Sequence, residues 1–283
     1  MKTIRSIKEM VRVSREMRLQ GKTIGFVPTM GALHQGHLSL IRKARQETAI
    51  VVVSIFVNPT QFQPKEDFKK YPRNLKRDSS LCKREGVDII FSPKAKAIYP
   101  ADYRTYVFVQ GLSAVLCGKS RPGHFKGVAT VVTKLFNIVC PDTTYFGQKD
   151  LQQVIIIKRM ADDLNMPVKI KVMPTIREKD GLALSSRNVS LNEEERKDAT
   201  VLYEALQKAK DLIRNGDTDT QSIIGRMRRI INERGITKID YISIVDLDNL
   251  QPLKKITNNS FIALAAWVGK TRLIDNIVIK TYV

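Results

Sequence analysis

In the first part of the chain, segments whose hydrophobic residues have helical spacing alternate with short segments in which hydrophobic residues are continuous. Over residues 6–20 they fall every three or four positions, which is typical of an amphipathic helix, and this stripe stops at Gly21. Residues 22–28 indicate a short buried strand, and a helical stretch follows Gly36. The continuous apolar run over residues 50–57 suits a central parallel strand, since such strands are covered on both faces.

The same alternation continues to about residue 173. It predicts helix and strand in turn over residues 75–85, 87–91, 125–139, 143–146, 151–164 and 168–173. This order is that of an α/β domain with a doubly wound parallel sheet, in which ligands bind beyond the carboxyl ends of the strands. We therefore expect a Rossmann-like N-terminal domain over residues 1–178.

A different pattern begins after a polar stretch around residues 174–188, which is typical of a functional loop or hinge. The segment Ser190-Leu191-Asn192-Glu193 is expected to form a capping box that opens a helix ending at Asn215-Gly216. A second helix and three strands should follow, over residues 220–234, 239–245, 261–268 and 273–279. We expect a smaller α+β domain over residues 179–283.

Composition excludes several classes of protein. Of the 283 residues, 43% are hydrophobic and 27% are charged, which argues against a disordered or collagen-like chain. No apolar run is long enough for a membrane span, and no signal-like apolar stretch follows the first residues. Cys82, Cys117 and Cys140 lie far apart, so neither a disulfide framework nor a zinc site is indicated. A cytoplasmic location is the expectation.

The net charge of +20 is unevenly distributed. Residues 1–178 contain 31 basic and 14 acidic residues, whereas residues 179–283 contain 17 and 14. The first part therefore carries +17 and would attract polyanions. Three explanations of this charge are open: binding of a nucleic acid, binding of a nucleoside triphosphate, or a basic surface that only increases solubility. Aromatic residues make up only 7% and no known RNA-binding module is present, which argues against a nucleic-acid-binding protein.

The segment that is most informative about chemistry connects the first predicted buried strand to the helix after it. Two of the three histidines, His34 and His37, lie three residues apart where a helix begins. Backbone N–H groups and the helix dipole favour an anion at such a place, and Gly36 lets a ligand approach the backbone. His-x-x-His spacing can also bind a metal, but no third ligand with suitable spacing is nearby. The context favours contact with a phosphate.

Six spaced motifs resemble one known family. They are Pro28-Thr29-Met30-Gly31-Ala32-Leu33-His34, Phe56-Val57-Asn58-Pro59-Thr60-Gln61-Phe62, Tyr71-Pro72-Arg73, Gly123-His124-Phe125-Lys126-Gly127-Val128-Ala129-Thr130-Val131-Val132, Tyr145-Phe146-Gly147-Gln148-Lys149-Asp150 and Ser185-Ser186-Arg187-Asn188. A strand followed by His-x-Gly-His looks like the nucleotidylyltransferases related to class I aminoacyl-tRNA synthetases. The six motifs together, in this order, are similar to the pantothenate synthetases, also called pantoate–β-alanine ligases.

The resemblance implies an amide-forming ligase of pantothenate and coenzyme A biosynthesis. Such an enzyme condenses pantoate with β-alanine through a pantoyl adenylate and converts ATP to AMP and pyrophosphate. It implies Mg²⁺ with the ATP substrate and a homodimer built through the first domain, with no nucleic acid or membrane as a partner. A nucleotidylyltransferase that acts on a phosphorylated substrate is the alternative within the superfamily, and Gln61 and Gln153 argue against it.

The resemblance also assigns residues to roles. His37, His34 and Lys149 would be catalytic, Gln61 would bind both pantoate and β-alanine, and Gln153 would bind pantoate. ATP would be contacted by three segments: Met30, Gly31, Ala32, Leu33, His34, Gln35, Gly36 and His37; Gly147, Gln148, Lys149 and Asp150; and Ile176, Leu184, Ser185, Ser186 and Arg187.

Within these segments, Lys149 would contact a phosphate and Asp150 would hold the ribose. Residues 185–187 would fold over the triphosphate as a mobile loop, with the smaller domain as a lid. His124 is expected to shape the pocket edge and receives no catalytic role. Asp78 lies where some relatives have paired acidic residues near the metal, but its neighbour here is Arg77. The metal ligands therefore stay unassigned, with Asp78 as the candidate.

Overall fold

The structure, a computed structural model, describes residues 1–62, 68–69 and 71–279. The chain divides into two compact units, each made of more than one segment. The first unit contains Met1–Ser113, Arg121–Gln148 and Gln152–Pro174. The second contains Ala114–Ser120, Lys149–Leu151 and the chain from Thr175 onward. Two short segments that precede Thr175 in the sequence, Ala114–Ser120 and Lys149–Leu151, thus belong to the second unit.

The first unit is built on a six-stranded parallel sheet. The strands are β1 (Lys2–Ile4), β2 (Ile24–Thr29), β3 (Ile50–Ile55), β4 (Ile89–Phe91), β5 (Thr143–Gly147) and β6 (Lys169–Met173). Their order in the sheet is β1-β4-β3-β2-β5-β6. The α/β prediction is therefore confirmed. Strand β1 was not predicted, because only one of its three residues, Ile4, is apolar and buried, so it shows no apolar run.

Helices cover both faces of this sheet. The helices of the first unit are α1 (Ile7–Leu19), α2 (Gln35–Glu47), α3 (Leu75–Arg84), α4 (Ala95–Ile98), α6 (His124–Val139) and α7 (Leu151–Asp163). The short helix α5 (Cys117–Ser120) belongs to the second unit. Successive strand side chains point to opposite faces, so Phe26 meets Phe136 of α6 while Val27 packs with Ile41 of α2. Within the described ranges, none of the helices has the length and hydrophobicity of a membrane span.

The strand order fixes where a ligand would bind in the first unit. The chain runs outward from β2 through β3 to β4, and then returns to place β5 on the other side of β2. All these strands are parallel, so their carboxyl ends lie at one edge of the sheet. The direction of winding reverses between β2 and β5, and a crevice forms at such a switch point. Gly147 ends β5 there, and residues 30–37 follow β2.

The second unit consists of an antiparallel sheet with helices packed on it. Its core joins residues of two helices, such as Leu206 and Met227, to strand residues such as Leu264 and Leu273. The amphipathic stripes predicted for the region therefore face this sheet. The elements are β7 (Ile236–Asp246), β8 (Ser260–Val268) and β9 (Thr271–Ile279), with α8 (Glu193–Asp198), α9 (Val201–Arg214) and α10 (Thr220–Asn232).

The predicted capping box at Ser190 is wrong. Asn192 caps α8, since its side chain accepts a hydrogen bond from the Glu195 amide, and the Glu195 carboxylate accepts one from the Asn192 amide. Ser190 instead ends a short 3₁₀ turn over Asn188–Ser190. The single helix predicted to Gly216 is also wrong, because the chain forms α8 and then α9. An Asn-x-x-Glu box satisfies the first amides as well as Ser-x-x-Glu would.

The segment Ala114–Ser120 is bound to the sheet of the second unit by polar contacts. Arg272 of β9 donates through Nη1 to Cys117 Sγ at 3.7 Å, and both residues are 8% exposed. The same guanidinium donates twice to Asp240 Oδ2, at 2.9 and 2.7 Å, and the Ser120 hydroxyl donates to Asp240 Oδ1 at 3.0 Å. One buried arginine therefore joins the segment to the strand.

Candidate active site

The loop after β2 is held in place by the buried carboxylate of Asp78. Its Oδ2 accepts a hydrogen bond from the Ala32 amide at 2.9 Å, and its Oδ1 accepts one from the Leu33 amide at 3.0 Å. Gly31 has a φ of 84°, and a Cβ there would lie 3.0 Å from Asp78 Oδ2. Glycine is therefore required at the turn, and Asp78 fixes the path of the backbone towards His34.

These contacts make Asp78 a support of the loop. Its side chain is 1% exposed, and the Nη1 atom of Arg77 lies 3.6 Å from Oδ1. Within the described part of the chain, no group of three or more His, Cys, Asp or Glu side chains could hold a metal ion. The assignment of Asp78 to a metal stays a prediction.

The two histidines of the motif cap the helix α2. His34 is the N-cap residue, and its Nδ1 accepts a hydrogen bond from the Gly36 amide at 3.2 Å. His37 Nδ1 accepts one from the His34 amide at 3.3 Å, which completes a capping box. The ring centroids are 4.1 Å apart. A nitrogen that accepts a hydrogen bond carries no proton, so in its neutral form each ring carries its proton on Nε2.

Gly36 makes this arrangement possible. A Cβ at position 36 would lie 2.9 Å from Cε1 and 3.0 Å from Nδ1 of His34. The imidazole thus occupies the space that any other side chain would need. The His34 ring thus accounts for the glycine of His-x-Gly-His, and close approach of a ligand to the backbone at Gly36 stays a prediction.

A second part of the site follows β3 and centres on the buried Asn58. Its Nδ2 donates to the Gly127 carbonyl at 3.1 Å and to Gln61 Oε1 at 3.0 Å. A backbone carbonyl can only accept, so it fixes which end of the Asn58 amide faces α6. The same end meets Gln61, which must therefore turn its oxygen to Asn58. The orientation of the Gln61 amide is set by Gly127 through Asn58.

Tyr99 holds the other end of the Asn58 amide. Its hydroxyl donates to Asn58 Oδ1 at 2.8 Å, and Thr60 Oγ1 donates to the same oxygen at 2.9 Å. Burial raises the pKa of Tyr99 to about 12, so the hydroxyl keeps its proton at neutral pH. Gln61 Nε2 is directed towards the Met30 sulfur at 3.1 Å, which brings the turn after β3 to the loop after β2.

His124 supports this turn through its ring. Its Nδ1 is 2.8 Å from the Gln61 carbonyl oxygen, so this nitrogen is the donor, and Nε2 faces Arg121 Nη1 at 3.1 Å. Both side chains are buried. His124 therefore positions the backbone of Gln61.

The remaining predicted residues of the first unit are placed as follows. Leu33 is fully buried in the core, so only its backbone could contact a ligand, and Gln35 is exposed with its side chain near Arg42. Gly147 and Gln148 lie at the end of β5. Gln153 is half-buried near the beginning of α7.

In the second unit, Lys149 and Asp150 lie in a 3₁₀ turn over Gln148–Asp150. The Lys149 ammonium is 3.7 Å from Asp150 Oδ1, and its side chain is 20% exposed. The side-chain amide of Asn276, on β9, donates to the Lys149 carbonyl at 2.9 Å. The backbone of this turn is thus tied to the three-stranded sheet.

The segment from Ile176 to Leu184 forms a tight hairpin. The Leu184 amide donates to the Ile176 carbonyl at 3.0 Å, so these two predicted ATP contacts lie opposite each other. The guanidinium of Arg196 on α8 binds Glu178 at 3.0 Å and Asp180 at 2.8 Å, and it lowers the pKa of Asp180. The hairpin is therefore tied to the helix that follows it.

Residues 185–187 continue from this hairpin in a compact turn. The Arg187 amide donates to Ser185 Oγ at 3.2 Å. Asn188 Nδ2 donates to the Glu178 carboxylate at 3.2 Å and to the Ala183 carbonyl at 3.1 Å. Ser186 and Ser185 are half-buried, and Arg187 is exposed.

Sequence reasoning missed Tyr99, Arg177, Asp275 and Asn276. Tyr99 carried no usable signal, because it lies at the end of a short helical segment far from the motifs. Asp275 and Asn276 did carry one, since these two polar residues interrupt the otherwise apolar residues 273–279 of the strand. Such residues are depleted in strand interiors, which indicates a specific partner.

Comparison with known proteins identifies the family of this chain. A family model described as pantoate-beta-alanine ligase matches residues 2–278. The pantothenate synthetase of Fervidobacterium nodosum is 57% identical over 280 residues, which cover 99% of this chain and 100% of that protein.

Two solved structures share the fold over nearly the whole chain. The pantothenate synthetase of Thermus thermophilus has a TM-score of 0.94 at 42% identity, covering 99% of this chain and 100% of that one. The pantoate-beta-alanine ligase of Francisella tularensis, complexed with beta-gamma ATP and beta-alanine, has a TM-score of 0.80 at 38% identity, covering 98% and 97%. By its sequence motifs, its fold and these matches, this chain belongs to the pantoate–β-alanine ligase family.

Proposed function

We propose that this chain joins pantoate to β-alanine at the expense of ATP, releasing AMP and pyrophosphate. The observation that carries the proposal is the His34–His37 pair, whose rings cap the helix that begins at the switch point of a parallel sheet. Membership of the ligase family names the substrates. The Francisella relative, complexed with beta-gamma ATP and beta-alanine, supports the choice of two of them.

The chemistry requires two steps. A carboxylate is a poor acyl donor, because it would have to expel oxide. A carboxylate oxygen of pantoate therefore attacks the α-phosphorus of ATP, and the bond from this phosphorus to the bridging oxygen breaks as pyrophosphate leaves. The amine of β-alanine then attacks the carbonyl carbon of pantoyl adenylate. AMP leaves with the electron pair of the broken carbon–oxygen bond.

The histidines stabilise the charge that the first step develops on the phosphates. Both rings lie at the N-terminus of α2, where the helix dipole favours an anion. Their Nε2–H groups act as donors, whereas their Nδ1 atoms accept hydrogen bonds from backbone amides. Donors that are fixed before the reaction need no reorganisation as charge grows, and each contributes roughly 10²–10³-fold to the rate in comparable sites.

Gln61 serves as a hydrogen-bond donor to a substrate oxygen. Its Nε2 has two N–H groups, of which one is directed to the Met30 sulfur, so the other can donate to a substrate. The hydroxyls and carboxylate of pantoate can accept such a bond. We assign Gln153 to pantoate, Lys149 to a phosphate, Asp150 to the ribose and residues 185–187 to the triphosphate, on the strength of the motifs that carry these residues.

Mg²⁺ enters the reaction as part of the ATP substrate. Each Asp78 oxygen accepts a backbone amide hydrogen bond, so this carboxylate already serves to hold the loop, and its assignment to the metal stays a prediction. Mg²⁺ is commonly held by substrate phosphates with few protein ligands. Chelation of the divalent ion should therefore abolish pyrophosphate release, while the Tm of the protein without substrates should be unchanged.

A homodimer and a cytoplasmic location are further predictions of the resemblance, and sedimentation velocity tests the dimer.

The purified protein tests the proposal directly. With ATP, Mg²⁺, pantoate and β-alanine, it should release AMP and pyrophosphate in equal amounts. With pantoate as the sole added acid, it should exchange labelled pyrophosphate into ATP, because the first step is then reversible. Production of ADP and phosphate would overturn the adenylate chemistry, and exchange that needs a phosphorylated substrate would favour another nucleotidylyltransferase.

A further inference from the structure

Strand β9 contains two buried polar side chains that the reaction described above does not use. Asp275 is 4% exposed and Asn276 is 3% exposed. Burial of such groups is costly unless each has a partner. Their partners are the two segments of the second unit that carry the predicted ATP contacts.

Asn276 holds the turn that carries Lys149. Its Nδ2 donates to the Lys149 carbonyl oxygen at 2.9 Å. The lysine ammonium is a point charge at the end of a flexible four-carbon stem, so a fixed backbone narrows the space that it can sample. Removal of the Asn276 donor frees this backbone and leaves the side chain of Lys149 intact.

Asp275 holds the hairpin on the other side. Its Oδ2 accepts from Arg177 Nη1 at 2.6 Å and its Oδ1 from Arg177 Nη2 at 2.9 Å, a bidentate pair. The same Nη1 donates to the Gly181 carbonyl at 3.0 Å, and the guanidinium lies 4.5 Å from the centre of the Tyr203 ring. Arg177 therefore closes the hairpin that leads to Ser185.

Adjacent residues of a strand point to opposite faces of the sheet. Asp275 shares the face of Leu273, which packs in the helix-covered core, while Asn276 shares the face of Arg272, which contacts Cys117. Two adjacent residues of β9 thus bind two different segments, one on each face of the sheet. The spacing between the Lys149 turn and the hairpin is set by neighbouring residues of one strand.

We propose that Asp275 and Asn276 are positioning residues for adenylate formation, Asn276 acting through Lys149 and Asp275 through Arg177 and the hairpin. This inference rests on the proposed ligase function. Fixed charges near the phosphates matter most where negative charge develops, and a misplacement of about 1 Å can lower a rate about 10²-fold.

A double-mutant cycle tests the role of Asn276. Asn276→Ala should lower the rate of pantoate-dependent pyrophosphate exchange by about 10- to 100-fold, and Lys149→Met by about 10²-fold or more. If Asn276 acts through Lys149, adding Asn276→Ala to Lys149→Met should lower the rate by less than about 2-fold further. Equal losses in both backgrounds would overturn the proposal, because a merely structural residue would act independently of Lys149.

A matched control and a second readout separate positioning from folding. Asn259→Ala removes a side-chain amide that donates to Asp246 and Asp248 in the same unit, and should leave exchange unchanged. Amide hydrogen exchange at residues 149–151 should accelerate in Asn276→Ala and stay unchanged in Asn259→Ala. If Asn276→Ala does not fold, Asn276→Leu keeps the approximate size, removes the donor without adding a buried charge and should give the same non-additivity.

The hairpin contact has its own test. Asp275→Asn should raise the KM for ATP by about 10-fold with a smaller change in kcat, because the hairpin is assigned to ATP contact and Lys149 to the transition state. An unchanged KM would overturn the assignment of Asp275. Absence of pyrophosphate exchange in the unsubstituted protein would overturn the ligase function and this proposal together. If the unsubstituted protein catalyses exchange but the effects of Asn276→Ala and Lys149→Met are additive, only the positioning role of Asn276 is overturned.

Discussion

Replacement of Gly127 by alanine should disturb the predicted substrate clamp without touching a substrate. A Cβ at position 127 of α6 would lie 2.3 Å from the Thr60 carbonyl oxygen, 2.5 Å from its carbon and 2.6 Å from the Gln61 nitrogen. All three atoms are backbone, so no side chain can rotate away. To restore an ordinary contact of 3.4 Å, the turn after β3 must move by about 1.1 Å relative to α6.

This displacement has two consequences of known size. Overpacking of this kind costs about 1–3 kcal/mol of stability, partly offset by about 0.5–1 kcal/mol because alanine favours a helix over glycine. The turn carries Gln61 and the Asn58 amide that orients it, so kcat/KM for pantoate should fall about 10²-fold. The Tm should fall by a few degrees or remain nearly constant.

Pantoate-dependent pyrophosphate exchange and thermal unfolding measure both effects. Gly225→Ala is the matched control, since Gly225 lies inside α10 and a Cβ there would meet nothing within 4 Å. It should raise the Tm and leave the exchange rate unchanged. If Gly127→Ala also raised the Tm and kept the kcat/KM for pantoate, the turn would be shown not to depend on this contact, and the reasoning would be refuted.

Two further substitutions test the histidine pair and the charge network of the first unit. His37→Gln keeps a side-chain acceptor for the His34 amide and so should preserve the Tm, but it should lower turnover by about 10²-fold; unchanged turnover would remove the imidazole from the mechanism. Hydrogen bonds from Lys171, Lys43 and Tyr145 lower the pKa of Glu47 from 4.5 to about 2. The folded pKa is depressed, so this stabilisation is present above pH 4.5 and is lost as the pH falls towards 2. Glu47→Gln should flatten the fall of urea stability between these pH values, and an identical pH profile would contradict the contribution of Glu47.

Local patterns in the sequence predicted the first unit well. The apolar run at residues 50–57 became β3, and the helical stripe after Ser6 became α1 with Ser6 as its cap. Both features depend on neighbours within a few residues. The His-x-Gly-His motif was also found at the end of a strand, because strand, turn and helix each leave a short-range signal.

Contacts between distant parts of the chain could not be predicted in this way. The orientation of Gln61 depends on the Gly127 carbonyl, which hydrogen-bonds to Asn58 across 69 positions of sequence. The contact between Asn276 and Lys149 spans 127 positions. No periodicity encodes such pairs. The assignment of Ala114–Ser120 to the second unit could not be predicted either, because it also depends on contacts between distant parts of the chain.

The burial of Cys117 against Arg272 has a consequence for the newly made chain. The two residues are 155 positions apart, and a ribosome adds roughly 5–20 residues per second, so the cysteine is synthesised about 8–30 s before its arginine. During that interval the thiol has no strand to cover it and can meet oxidants or other nascent chains. Formation of β9 therefore ends the period in which this sulfur is chemically vulnerable, so the second unit protects its cysteine only after the third strand of its sheet has been made.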